Sequence, residues 1–152
     1  MSEMNGLSAP IMEANELLWT KPASELVPGQ VRALLKAFLR EGQVALHLGY
    51  TDDFVSDAVL VAVELVTNAV AHTPGGERVT FRARIESAHQ LWAGVWDCSP
   101  RSPVAKPMFE TNGMPVLVES GRGLGIALAF ADELNVTWTP PRGKWTWARF
   151  SF

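Results

Sequence analysis

Between Asp52 and Thr73 the chain reads DDFVSDAVLVAVELVTNAVAHT, a long stretch with no glycine or proline, and this segment constrains the fold more than any other. Its valine-rich centre, Ala58 to Val63, is compatible with a helix or with a buried strand. Length and spacing decide for the helix. Thr51 or Asp52 can cap the start, and Asp53, Asp57, Glu64, Asn68 and His72 recur at helical spacing, whereas a strand would scatter them over both faces. A helix this apolar, with so narrow a polar stripe, fits one packed under a sheet with one edge lining a pocket.

Within the stripe, Glu64 and Asn68 lie four residues apart and so share one helix face, within reach of a single ligand. A carboxylate and an amide set among valines are costly to bury without partners, which implies something polar, a metal or a phosphate, against that face. On spacing alone, a polar pair satisfied internally is the plainer alternative. His72 reads as the end of the helix.

Composition bounds the rest. A chain of 152 residues with 47% hydrophobic content suits one domain with a full core. A net charge of -3, with 13 basic residues spread along the chain, leaves no electrostatic footprint for direct nucleic-acid binding. The longest uninterrupted apolar run is far short of a membrane span, and the N-terminus lacks the basic-then-apolar order of a signal peptide, so a cytoplasmic protein without membrane association is expected. A single cysteine, Cys98, excludes an internal disulfide and a cysteine-cluster zinc site. It reads as a small buried hydrophobe.

Residues 1–15 are expected to form a flexible tail ahead of one domain at 16–152, beginning with a short strand at Glu16 to Thr20. After Pro28, the positions Val31, Leu34, Leu35, Phe38 and Leu39 recur as one face of an amphipathic helix, with Arg32, Lys36 and Arg40 opposite. Val79 to Ile85 alternates as a half-buried strand, and Leu91 to Asp97 pairs with it across a turn at Ser87 to Gln90. Ser99 to Ser120 is a proline-rich loop, long enough to suggest a lid. It runs into GRGLG at 121–125 and then IALAFADEL, a helix with Ile126, Leu128, Ala129, Phe130 and Leu134 as core candidates. Strands at Val136 to Thr139 and Trp145 to Phe152 close the domain around the turn at 140–143. The tryptophans on strands, Trp92, Trp96, Trp145 and Trp147, read as core or sheet-surface residues, with an exposed subset able to serve as a partner surface.

Glycines ahead of a helix expose backbone N–H groups at its positive end and make an anion site. GRGLG matches neither a phosphate-binding P-loop nor a dinucleotide fingerprint, since it follows a proline-rich loop rather than a strand. With ELVTNAVAH (64–72) and DCSP (97–100) before it, however, GRGLGIALAFADEL (121–134) resembles the third of the N, G1 and G2 boxes of the GHKL ATPase/kinase superfamily. The nearest likeness is to the anti-sigma factor serine/threonine kinases and the small actinobacterial ATP-binding regulators. The resemblance covers nearly the whole chain, and three boxes in order are a specific signal.

It implies an α/β fold, the Bergerat two-layer sandwich of a mixed, largely antiparallel sheet covered by helices, with ATP between the helical layer and the lid. It also implies that Asn68 ligates Mg2+ through its side-chain oxygen and that Glu64 is the general base toward a partner's serine. Asp97 would accept a hydrogen bond from the adenine amino group and set base preference. Gly121, Gly123 and Gly125, with Leu124 between them, would bring backbone to the phosphates while Arg122 supplies charge, and Thr146 would sit beside the adenine pocket. Partners implied are a sigma factor and a STAS-like anti-anti-sigma protein, and the family commonly forms homodimers.

Departures from the pattern bear on activity. The G1 box often reads DxGxG, but here Ser99 and Pro100 follow Cys98; three residues after the asparagine stands Ala71, where arginine is frequent. Among loop cations only Arg101, Lys106 and Arg122 remain to meet phosphates. Two functions follow: an ATP-dependent protein serine/threonine kinase that phosphorylates an anti-anti-sigma partner and sequesters a sigma factor, or a non-catalytic partner-switching module on the same fold with weak or structural ATP. Glu64 favours the first; Ala71 and DCSP favour the second. A sensor histidine kinase catalytic domain is the third reading, and the expectation of a free-standing chain speaks against it.

Overall fold

A computed structural model of the chain describes residues 9–100, 108–109, 115–116 and 123–152. Strands β1 (Ile11–Glu13), β2 (Glu16–Pro22), β3 (Arg78–Glu86), β4 (Gln90–Asp97), β7 (Glu133–Trp138) and β8 (Lys144–Ser151) form one sheet in the order β1-β2-β3-β4-β8-β7. Helices α1 (Val27–Ala45), α2 (Asp52–Ala71) and α3 (Gly123–Phe130) complete the sandwich, and β5 (Met108–Phe109) and β6 (Pro115–Val116) form a separate antiparallel pair. Every pairing in the six-stranded sheet is antiparallel, so the parallel component allowed for in the expected mixed sheet is absent among the described residues.

The alternating strands divide their side chains cleanly. Val79, Phe81, Ala83 and Ile85 of β3, Leu91, Ala93 and Val95 of β4, and Ala148 and Phe150 of β8 are buried, while the intervening Arg82, Arg84, Trp92, Trp96, Trp145 and Trp147 stay half-buried on the opposite face. Helix α2 lies at the centre of the helical layer, contacting α1, α3 and the sheet. It is long and apolar enough to cross a membrane by composition alone, but ten of its residues are buried against these neighbours, nine of them apolar. The tenth is Asn68. Thr51 caps the helix, its Oγ1 accepting from the Phe54 N–H at 3.1 Å, and Asp52 and Asp53 complement the helix dipole in the first turn.

Four local expectations are corrected. Part of the expected tail is structured: Ile11–Glu13 pairs with Leu18–Glu16, because β2 would otherwise present an open edge. The helix after GRGLG starts at Gly123 and stops at Phe130; Glu133 and Leu134, expected within it, belong to β7. Ala129 and Phe130 are exposed rather than core, Phe130 at 46%, and Ala127 is buried; the side chains of Ile126 and Leu128 lie outside the described residues. The long loop carries the β5–β6 pair.

Candidate functional site

The polar stripe of α2 emerges at its C-terminal half. Asn68 is 7% exposed, and its Oδ1 is sealed from solvent with no hydrogen-bond partner among the described residues. An amide oxygen in this state is a strong acceptor with nothing to accept from, a situation native folds rarely tolerate without a ligand. Glu64, one turn earlier and half-buried, makes no ion pair or hydrogen bond among the described residues. Past Asn68 the helix ends at His72, whose N–H bonds back to the Asn68 carbonyl at 3.3 Å, and Thr73 Oγ1 donates to the Ala69 carbonyl at 2.6 Å.

Asp97 ends β4 in the inward phase of its alternation, 2% exposed. Its Oδ1 accepts from the Ser99 N–H at 2.8 Å and from Lys144 Nζ at 2.8 Å. Lys144, 3% exposed, is the direct cross-strand neighbour of Asp97 on β8, and its ammonium also lies 3.5 Å from the Ser99 carbonyl and 5.9 Å from the centre of the Trp138 ring. This buried ion pair was not anticipated. Its signal was present, because in KWTWARF the alternation puts Lys144 in phase with Thr146, Ala148 and Phe150, a lysine in the buried register of a strand. Thr146 is buried on the same face but opposite Val95, one inward position away from Asp97, so Lys144 and not Thr146 stands against the carboxylate.

The segments that follow the two groups meet at one corner of the sandwich, in a pocket whose lining does not itself include Glu64, Asn68, Asp97 or Lys144. Ala71 at the end of α2, residues 72–75 after it, Cys98–Pro100 beyond β4, Glu77 and Arg142 line a common open pocket of about 530 Å³. The Arg142 guanidinium, held above its ordinary value by Cys98 and Glu77 beside it, pairs with Glu77 at 2.6 Å on an exposed rim. Helix α3 packs on α2, and a Cβ added at Gly125 would enter open space, leaving the backbone of its first turn accessible. Gly121, Arg122, Arg101 and Lys106 lie outside the described residues, and Gly123 and Leu124 are described by backbone alone. Another cleft, about 350 Å³, lies on the opposite sheet face beside Arg82, Trp92 and Trp147, remote from the stripe.

No cluster of three or more His, Cys, Asp or Glu side chains suited to a metal occurs among the described residues. That excludes an all-protein metal cage there but suits Mg2+ held with phosphates, which takes one or two protein oxygens and fills its remaining positions from phosphate and water. The orphaned Asn68 Oδ1, with the Glu64 carboxylate one turn away, fits that requirement.

Comparison with known proteins agrees with this architecture. Residues 25–150 match the family model of the histidine kinase-like ATPase domain. Among solved structures, the RsbU and RsbW domains of Rv1364c from Mycobacterium tuberculosis align with 94% of this chain at a TM-score of 0.58 and 18% identity, the chain spanning 32% of that protein. The SiaB–SiaC complex from Pseudomonas aeruginosa aligns at a TM-score of 0.59 and 12% identity, over 89% of each chain. At these identities the likeness is one of fold, and no curated protein sequence matches significantly. The family model covers most of the chain, including Glu64, Asn68, Asp97 and the glycines at 121, 123 and 125: the chain belongs to the histidine kinase-like ATPase domain family.

Proposed function

We propose that the chain binds ATP with Mg2+ and acts as a cytoplasmic protein serine/threonine kinase of the anti-sigma type, phosphorylating a STAS-like anti-anti-sigma partner and sequestering a sigma factor. The observation that carries this reading is Asn68: an amide oxygen buried without a donor, on the same helix face as a carboxylate that makes no ion pair, both among the described residues, in a chain of the ATPase family. Asn68 Oδ1 would hold the cation, and Asp97 would meet the base. Mg2+, when bound, would offset charge on the phosphates. Glu64 would accept the proton of the incoming serine hydroxyl, since a carboxylate that is not tied up in an ion pair remains free to take one. The glycines of the segment 121–125 would bring backbone N–H groups to the phosphates, aided by Arg122. The structural neighbour SiaB, solved in complex with SiaC, supports a partner-binding role for this fold.

The test is Glu64→Gln, which keeps size and hydrogen bonding but removes the base. Mg-ATP binding should persist while transfer of labelled γ-phosphate to a partner serine falls by roughly 10²–10⁴-fold. If the unaltered protein transfers no phosphate, still captures a sigma factor or its antagonist, and the variant behaves identically, the chain is a non-catalytic partner-switching module.

A further inference from the structure

The outer face of the sheet, away from the helices, carries the cleft of about 350 Å³ that the nucleotide reading does not use. Across the ladder one row runs Arg82, Gly94, Trp147, Asn135, and the next sets Arg84 against Trp92. Gly94 hollows its row: the Trp147 ring lies down over it, and Trp145 stacks on that ring at 4.8 Å, so the aromatic wall is fixed before any ligand arrives. The charges beside it are already matched. Arg82 Nε donates to Glu16 Oε2 at 2.5 Å and Arg84 Nη2 donates to Glu86 Oε2, on side chains 28% to 44% exposed.

What remains unused in the walls is mixed. The Arg82 Nη groups and Arg84 Nη1 are donors, Glu86 Oε1 and Asn135 Oδ1 are acceptors, and the Thr137 hydroxyl can be either; none of these atoms is hydrogen-bonded among the described residues. A cation would meet the two guanidiniums, and an anion would meet Glu86 beside guanidiniums already neutralised, so the lining selects a ligand without net charge. Such a ligand needs an apolar face for the indoles and a rim of groups that each give and accept. A pyranose ring has both: C–H bonds on its faces, and hydroxyls that each donate once and accept twice. We propose that the cleft is a carbohydrate site for a neutral pyranose or short neutral glycan, packed against Trp147 and Trp92 and held at its rim by Arg82, Arg84, Glu86 and Asn135. Its volume, at the lower end of the range for small-molecule pockets, suits a ligand of that size. The site is separate from Glu64 and Asn68 and does not depend on ATP binding.

The experiment is titration of the full chain with the α- and β-linked glucose disaccharides maltose and cellobiose, read from the tryptophan indole N–H resonances, with adenosine as the comparator. At least one disaccharide should shift the Trp92 and Trp147 signals saturably and leave that of Trp19, buried on the other face, unmoved. Arg84 is 42% exposed and Asn135 is exposed, and surface pairs of this kind add little to folding, so Arg84→Ala and Asn135→Ala should keep the fold and each weaken binding by about three- to tenfold. Absence of a saturable shift with either sugar overturns the proposal. So does sugar binding that both variants leave unchanged, and so does adenosine moving the same two signals at lower concentration than either sugar. A shift of those signals on dilution alone also overturns it, since a second copy of the chain would then cover the cleft. Each of these outcomes leaves Mg-ATP binding, read in a separate titration, untouched.

Discussion

An amide oxygen sealed from water without a donor costs roughly 1–3 kcal/mol, and Asn68 Oδ1 is such an atom. A bound cation would remove that penalty. Asn68→Ala should therefore weaken Mg-ATP binding by about 1.5–3 kcal/mol without destabilising the ligand-free protein. Titrations with and without magnesium check this, and equal affinities in the two conditions would remove Asn68 from the site. Tyr50, the single tyrosine, makes a second residue-scale prediction. Its hydroxyl donates to the Leu39 carbonyl, its ring packs edge-on to Phe152 at 4.9 Å, and burial pushes its pKa from 10.0 up to about 12. Below pH 10 the phenol is neutral whether the chain is folded or not; above it the unfolded chain ionises first. Stability should thus hold up to about pH 10 and fall toward about pH 12 by up to roughly 1.4 kcal/mol per pH unit. Denaturant midpoints across that window should lose this slope in Tyr50→Phe.

At the scale of elements, the β4–β8 ladder is held by rings lying over glycines. A Cβ on Gly94 would stand 2.4 Å from Trp147 Cε3 and 3.0 Å from the Thr146 carbonyl, and one on Gly143, at φ +92°, would stand 2.3 Å from Trp96 Cζ2. Trp145 stacks on Trp147 at 4.8 Å, and Trp96 Nε1 donates to Thr139 Oγ1 at 2.9 Å. The Trp147 ring cannot move off Gly94 without disturbing this stack. Gly94→Ala should cost about 1–3 kcal/mol in chemical denaturation and change the tryptophan fluorescence of the folded state. An unaltered midpoint would mean that the rings have room to slide. The same ladder puts Lys144 opposite Asp97.

For the whole molecule, the helical layer meets the sheet around α2, and the candidate site lies where α2 and β4 end together. A ligand bridging the two would couple to global unfolding by mass action. Mg-ATP at a hundredfold excess over its dissociation constant should stabilise the fold by about 2.7 kcal/mol and raise Tm by roughly 5–10 °C. Thermal scans with ATP, with ATP and magnesium, and with Asn68→Ala check this, and the full shift should require both the metal and the asparagine. A Tm indifferent to all of them would argue against a nucleotide site at this corner.

Local pattern carried much of this structure. The span of α2, its Thr51 cap, the buried face of α1 at Val31, Leu35, Phe38 and Leu39, and the inward phase of β3 and β4 all follow from periodicity within one segment. The Glu64–Asn68 spacing likewise placed both residues on one face, and the order of the three boxes indicated the family. Pairing partners and desolvation were beyond such reasoning. Whether Glu133 and Leu134 extend a helix or open a strand was settled by the hydrogen bonds that β8 offers them, and whether Ile11–Glu13 is ordered by the edge of β2. The Asp97–Lys144 contact joins residues 47 positions apart, and the isolation of Asn68 Oδ1 exists only once the layers close around it. Sequence by itself determined which faces are apolar, because side-chain period is a local property; tertiary structure decided which polar atoms meet and which are left without a partner, because register and exclusion of water belong to the assembled sandwich.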